Sequence, residues 1–264
     1  MESPAGIGLA RAFVPGGETR DLSANIRREN HPLRIVRSLL LGSFVSAALL
    51  PQRADAFWLL GFSTADTLPR GELGAIAGTG GQYSSVGDPR SDSFTPFLPH
   101  AGLRVGVADG WDVGYRLTQV ALPYSSAGPS LGGEVDVKHR LTSPESAWQS
   151  ALVLGVAYSY LDLESRSKSA WSPGVDWVVS RPVGHDLTAI SELRYVYTAI
   201  PAGPGGEQAN HVSATGIDFG LRIGVKAKVS IIPEIGLFDF SGRLAGRNGS
   251  GFAAQYGVVL AFRF

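Results

Sequence analysis

Cysteine is absent from the 264 residues, and methionine occurs once, at Met1. Without cysteine there is no disulfide framework, no thiolate nucleophile, no cysteine-ligated metal and no acylated lipoprotein anchor. An excess of either charge is missing too. Lys+Arg 23 balances Asp+Glu 23, so no long-range field draws the chain to nucleic acid. No uninterrupted apolar run reaches the roughly 18–20 residues of a membrane helix. HExxH, Walker and dinucleotide fingerprints are lacking in any supporting context, so neither a cofactor nor a metal is expected.

What is present begins with "SLLLGSFVSAALL" (Ser38 to Leu50), an apolar run of signal-peptide length. Arg34 and Arg37 flank its start, Pro51 follows, and "ADA" (Ala54 to Ala56) supplies small residues for cleavage after Ala56. Residues 36–56 are therefore read as a signal peptide. Residues 1–35 are expected to be a non-native or disordered extension, with translation beginning near Val36 through a GTG codon. Residues 57–264 form the secreted part.

Within that part the helix period gives way to alternation. Val135, Val137 and Leu141 oppose Glu134, Asp136, Lys138 and Arg140. Ile217, Phe219, Leu221, Ile223 and Val225 oppose Asp218, Gly220, Arg222, Gly224 and Lys226. The same pattern runs through Gly102 to Gly110 and Trp111 to Gln119. It is weaker over 72–83, 148–161, 171–183, 187–200 and 229–240, and closes in a final segment to Phe264. About ten strands result; eight or twelve fit the same pattern.

The links alternate in length. "SSVGDPRSDSFTPFLP", "LPYSSAGPS", "ESRSKSA", "PAGPGGEQAN" and "SGRLAGRNGSG" are long, whereas "ADG", "TSPES", "VGHD" and "KAK" are short. Long links after odd strands and short turns after even ones predict an antiparallel transmembrane β-barrel with both termini in the periplasm. The apolar faces carry the aromatics while the polar faces carry glycine and balanced charge, the inverse of a soluble barrel. Trp111 and Trp148 at the turn side, and Tyr158, Tyr160, Trp171, Tyr195 and Tyr197 towards the loops, form two expected girdles.

The terminal "QYGVVLAFRF" resembles the last strand of bacterial outer-membrane β-barrel proteins, in which a C-terminal signal is read by the barrel-assembly machinery. Gln255, Gly257, Leu260 and Phe262 match its polar, glycine, apolar and aromatic positions, and Phe264 supplies the terminal aromatic. The last apolar position falls on Phe262, leaving two residues beyond it. The resemblance implies a Gram-negative cell, the outer membrane as location, its lipids as surroundings and the assembly machinery as a partner.

For a barrel, the inward positions include Arg104, Asp112, Arg116, Glu134, Asp136, Lys138, Arg140, Asp176, Glu192, Arg194, Asp218, Arg222 and Glu234. Their near-equal signs predict ion pairs across a plugged or narrow lumen. The resemblance also brings two enzyme classes into view. Omptin proteases use acids and a histidine at the outer rim, where His100 and Asp92 would lie. Lipid A deacylases carry His-x-Ser on the outer face, matched by His211 and Ser213 in "HVSATG". Ala214 stands where that family has Asn, and no acid follows at the expected distance, so catalysis is not expected. The function expected is structural, surface-binding or narrow-pore transport. A lipid A-modifying hydrolase and a soluble periplasmic ligand-binding barrel are the alternatives.

Overall fold

The structure is a computed structural model and describes residues 64–86, 90–120, 130–163, 166–200, 209–244 and 247–264. The extension (1–35) and the signal peptide (36–56) lie outside the described residues.

Ten strands follow one another. They are β1 (Leu73–Val86), β2 (Ser91–Ala108), β3 (Trp111–Val120), β4 (Ser130–Arg140), β5 (Gln149–Leu163), β6 (Arg166–Pro182), β7 (Leu187–Ile200), β8 (Asn210–Lys226), β9 (Val229–Leu244) and β10 (Arg247–Arg263). Each pairs antiparallel with its neighbours in sequence, and β10 returns to β1, so the sheet closes on itself. The seam runs from Gly74 opposite Arg263 to Val86 opposite Gly251. Phe264 N–H donates to the Leu73 carbonyl at 2.9 Å, extending the ladder to the last residue. Closure leaves no strand edge exposed.

The turn-side ends of the strands agree with the alternation to within two residues, but at the loop side several strands run further. Residues 91–99 belong to β2, and β1 continues to Val86. Residues 166–170, 241–244 and 247–251 likewise lie in strands. In place of a loop, Ser84 and Ser93 share a hydroxyl hydrogen bond of 2.7 Å across the β1–β2 hairpin. The cause is length. A tilted strand crosses a bilayer in about 9–11 residues, and most of these have 14–18. Beyond the hydrocarbon no face has to be apolar, so apolar alternation fades while pairing persists. Of the long links, only 121–129 and 201–209 keep their length between strands.

Proline marks the irregularities. Pro96 faces the register shift between Gly80 and Gln82, and Pro173 and Pro233 sit where pairing lapses towards one neighbour. Each lacks the N–H that a ladder on both sides requires.

Alternation assigns the two faces. Outward side chains are apolar and open, with Phe219 49%, Ile235 54% and Leu237 55% exposed. Inward ones are polar and closed, with Asp112 0%, Asp218 1% and Lys138 2% exposed. Two aromatic belts border the apolar band. At the turn side Trp111 stacks on His139 at 4.0 Å, and Arg181 lies over Trp148 at 4.8 Å. At the loop side Tyr158 meets Trp171 edge-on at 4.7 Å, and Tyr83 leans on Phe252 at 5.9 Å.

Candidate functional site

Glycine creates the room for the lumen's charges. A Cβ at Gly114 would strike the Asp136 carboxylate and the Arg104 guanidinium, and one at Gly236 would overlap Asp218. The glycines on the polar faces are thus the spaces into which long side chains of neighbouring strands fold.

Two charge clusters occupy those spaces. Near the turn side, Arg104 on β2 bonds both Asp112 on β3 and Asp136 on β4, and Lys138 lies 3.4 Å from Asp112. On the other wall, Arg194 donates through Nε and Nη2 to the two Asp176 oxygens at 2.7 and 2.8 Å. The same guanidinium reaches Glu192 at 2.5 Å. Arg116 pairs with Glu134 at 2.7 Å. Asp218 and Glu234 are buried in the same lumen. Ion pairing of this quality is what keeps confined charges tolerable.

Two members of the expected network behave differently. Arg140 is half-buried at the turn side and forms no ion pair among the described residues. Arg222 is matched at 3.8 Å by Asp66, which is no wall residue. Sign is also sorted along the barrel. Arg116 and Arg194 pair with Glu134, Asp176 and Glu192, and Asp218 and Glu234 are buried in the same lumen, an acidic excess hidden by the overall balance.

Asp66 belongs to a segment that the alternation does not mark. Residues 64–69 precede β1 and lie inside the barrel. Lys138 Nζ donates to the Thr64 and Asp66 carbonyls at 3.1 and 2.7 Å. Leu68 N–H donates to Asp112 at 3.1 Å, and Ala65 N–H to the Ser180 hydroxyl at 3.2 Å. Inward side chains of β3, β4, β6 and β8 all grip the segment, which only a lumenal position allows. Ala65 completes an apolar cluster with Val153, Val178, Ile190, Ile232 and Val259. Beneath the segment a cavity of about 600 Å³ opens at the turn side. The short polar sequence "TADTLP" gave no periodic signal. Only its place just before the first strand pointed to it.

The seam residues take both faces. Gln255 is buried and donates from Nε2 to Gln82 Oε1 at 2.5 Å across the closure. Gly257 leaves space for Glu234. Leu260 and Phe264 are exposed on the outer face, and Phe262 is half-buried.

The histidines expected at rims separate. His100 is not at the loop rim: it points inward, 5% exposed, on the same face of β2 as Leu98 and the lumenal Arg104. Asp92 stays exposed at the loop end. His211 and Ser213 share the outer face of β8 as their spacing requires, but they do not engage each other. His211 stacks on Tyr197 with ring centres 6.1 Å apart, and Ser213 accepts from the Tyr195 hydroxyl at 3.5 Å. The ladder sets Arg243, not an acid, opposite His211.

Apolar outside, ion-paired inside, closed, and belted with aromatics at both ends, the barrel has the polarity that lipid selects. The chain is an integral β-barrel of the outer-membrane type. No family model and no curated protein matches its sequence. In backbone it is similar to an outer-membrane channel from Pseudomonas putida F1, with 12% identity, 78% of this chain and 100% of that one covered, and a TM-score of 0.44. It is also similar to OprG from Pseudomonas aeruginosa, with 9% identity, coverage of 76% and 99%, and a TM-score of 0.32. The translocator domain of the autotransporter NalP from Neisseria meningitidis gives 12%, 91% and 100%, and 0.36. These are likenesses of barrel shape.

Proposed function

We propose that this barrel is a narrow-pore transporter of the outer membrane, closed at rest by its own N-terminal segment. One observation carries the reading. The open cavity at the turn side ends on residues 64–68, held by hydrogen bonds, instead of on the covalent wall. A segment held by a few bonds is removable at modest cost, whereas a lumen filled only by wall side chains is not. Ion pairs beyond it narrow the path further and favour passage of small solutes.

Planar-bilayer recording tests the reading. The complete secreted chain is expected to be silent or to flicker at low conductance, and a variant lacking residues 64–69 to conduct steadily. Silence of both would leave the second reading, a surface-binding scaffold. That reading draws on the β1–β2 and β5–β6 hairpins, whose ladders outrun neighbouring β3 and β4 at the loop side. The separated His211 and Ser213 favour a role without lipid hydrolysis. Insertion among outer-membrane lipids through the assembly machinery is part of the same proposal, with "QYGVVLAFRF" as its signal.

A further inference from the structure

We infer that the turn-side cavity is a binding site for small organic carboxylates. Its mouth gathers Arg222, Lys226, Lys228 and Arg263. The clustering is built into the fold: Arg263 N–H donates to the Lys228 carbonyl at 3.0 Å, joining the end of β10 to the β8–β9 turn. Arg222 sits on β8, its Nη2 donating to Thr188 at 3.2 Å, within electrostatic range of Arg263.

Neutralisation at this mouth is incomplete. Asp66 reaches Arg222 at 3.8 Å, and Asp186 lies beside His185 at 3.6 Å. Among the described residues, Lys226, Lys228 and Arg263 form no ion pair, and all three are exposed. Four cations against Asp66, Asp186 and the terminal carboxylate of Phe264 leave the mouth net positive, and a cleft with low-dielectric walls concentrates anions there. Deeper cations do not compete for such a ligand, because Arg104 and Lys138 are already engaged by Asp112 and Asp136.

The interior beyond the mouth selects a class of anion. Ile76, Ile232 and Ala261 line the cavity and adjoin the apolar cluster. A carboxylate held at the mouth can therefore lay a compact apolar body against these three side chains, which inorganic anions do not exploit. A volume of about 600 Å³ accommodates a small organic acid. Arg222, Arg263 and their neighbours open into the cavity, so the carboxylate is a solute, not a lipid headgroup.

This inference deepens the transport reading, but binding is measured without conduction, so the two fail separately. The folded chain in neutral detergent is titrated calorimetrically with benzoate, with benzyl alcohol as neutral isostere and phosphate as bare anion. Benzoate is expected to saturate at about millimolar concentration and to exceed both controls. The Lys226→Gln/Lys228→Gln pair, on an exposed turn that tolerates it, is expected to weaken benzoate by about fivefold, and added salt to weaken it as well. Arg222→Gln acts in the same direction. Arg181→Gln, whose side chain lies on the outer face over Trp148, should change nothing. Equal binding of benzoate and benzyl alcohol, or indifference to the lysine pair, overturns the inference. So does a lysine-pair effect confined to phosphatidylglycerol vesicles, which would make the mouth a lipid contact.

Discussion

Lys138 Nζ donates to the backbone carbonyl of Asp66 at 2.7 Å, joining residues 72 apart in sequence across the interior of the barrel. The same ammonium bonds the Thr64 carbonyl and lies 3.4 Å from Asp112, which in turn accepts from Leu68 N–H. One buried cation thus ties the N-terminal segment to the wall at two points, and the Asp112 carboxylate beside it supplies a third. Lys138→Met keeps the length and removes the ammonium, stranding two carbonyls. The segment is then expected to leave the lumen, giving longer openings in planar bilayers and protease cleavage near Arg70 in the folded protein. A silent, protease-resistant K138M barrel would mean that the segment is a fixed part of the core.

Register is tested from the lipid side. Leu193, Ile217 and Leu237 lie opposite one another on β7, β8 and β9, all exposed and set between the belts. Ile217→Arg puts a guanidinium into hydrocarbon and should cost about 2–4 kcal/mol in reversible unfolding from lipid vesicles. An Ile217→Arg barrel as stable as its parent would indicate that this face does not meet lipid.

The lumenal glycines are tested by contrast. Gly236→Ala drives a methyl group into the Asp218 carboxylate and towards the Phe238 ring, whereas at Gly133 the nearest atom to an added Cβ is the Tyr115 hydroxyl oxygen at 3.6 Å. Overpacking predicts a loss of about 1–3 kcal/mol for Gly236→Ala. Gly133→Ala should be neutral or slightly stabilising. Equal effects in chemical denaturation would show that the interior has slack to absorb the methyl.

Alternation made the architecture legible because one buried and one lipid-facing side force a period of two. Val135, Asp136, Val137 and Lys138 read correctly for that reason, and so did the closure at Phe264. The hairpin tops of β1–β2 and β5–β6 did not read as strands, since short polar residues such as Ser84, Ser85 and Ser93 occupy both faces there and leave no apolar contrast. The lumen's composition was legible but its arrangement was not. Which acid meets Arg194, and that Arg222 answers to Asp66, depends on strand order and tilt, which periodicity does not encode. The N-terminal segment left no periodic trace because its bonds run mainly through its backbone, and every sequence has a backbone.

The seam offers a test of assembly. Phe264 extends the β10–β1 ladder by one bond to Leu73 and shows its ring on the outer face. Phe264→Asp keeps the backbone bond but sets a charge beside lipid at the position where the C-terminal signal has its aromatic. Less heat-modifiable barrel and more degraded precursor are expected. Normal amounts of folded protein would show that the terminal aromatic is dispensable to assembly here.

Catalysis is tested at Ser213. A serine nucleophile needs a base within about 2.6–3.2 Å and a third group orienting that base. Residues two apart on one strand are about 6–7 Å apart along it, so the imidazole of His211 would have to lean along β8 to reach the hydroxyl. Instead the ring is stacked on Tyr197, and Ser213 is met by Tyr195. Opposite His211 stands Arg243, which cannot serve as the orienting acid. The acid facing β8 at the loop side, Asp239, pairs with Thr215, four residues along the strand from His211 and on the far side of Ser213. Base, nucleophile and orienting acid are therefore each present on the outer face but never within reach of one another. Ser213→Ala should leave the acyl chains of the host's lipid A unchanged by mass spectrometry. Loss of one acyl chain on expression of the parent, abolished by that substitution, would replace the transport reading with a hydrolase whose site assembles only around its lipid.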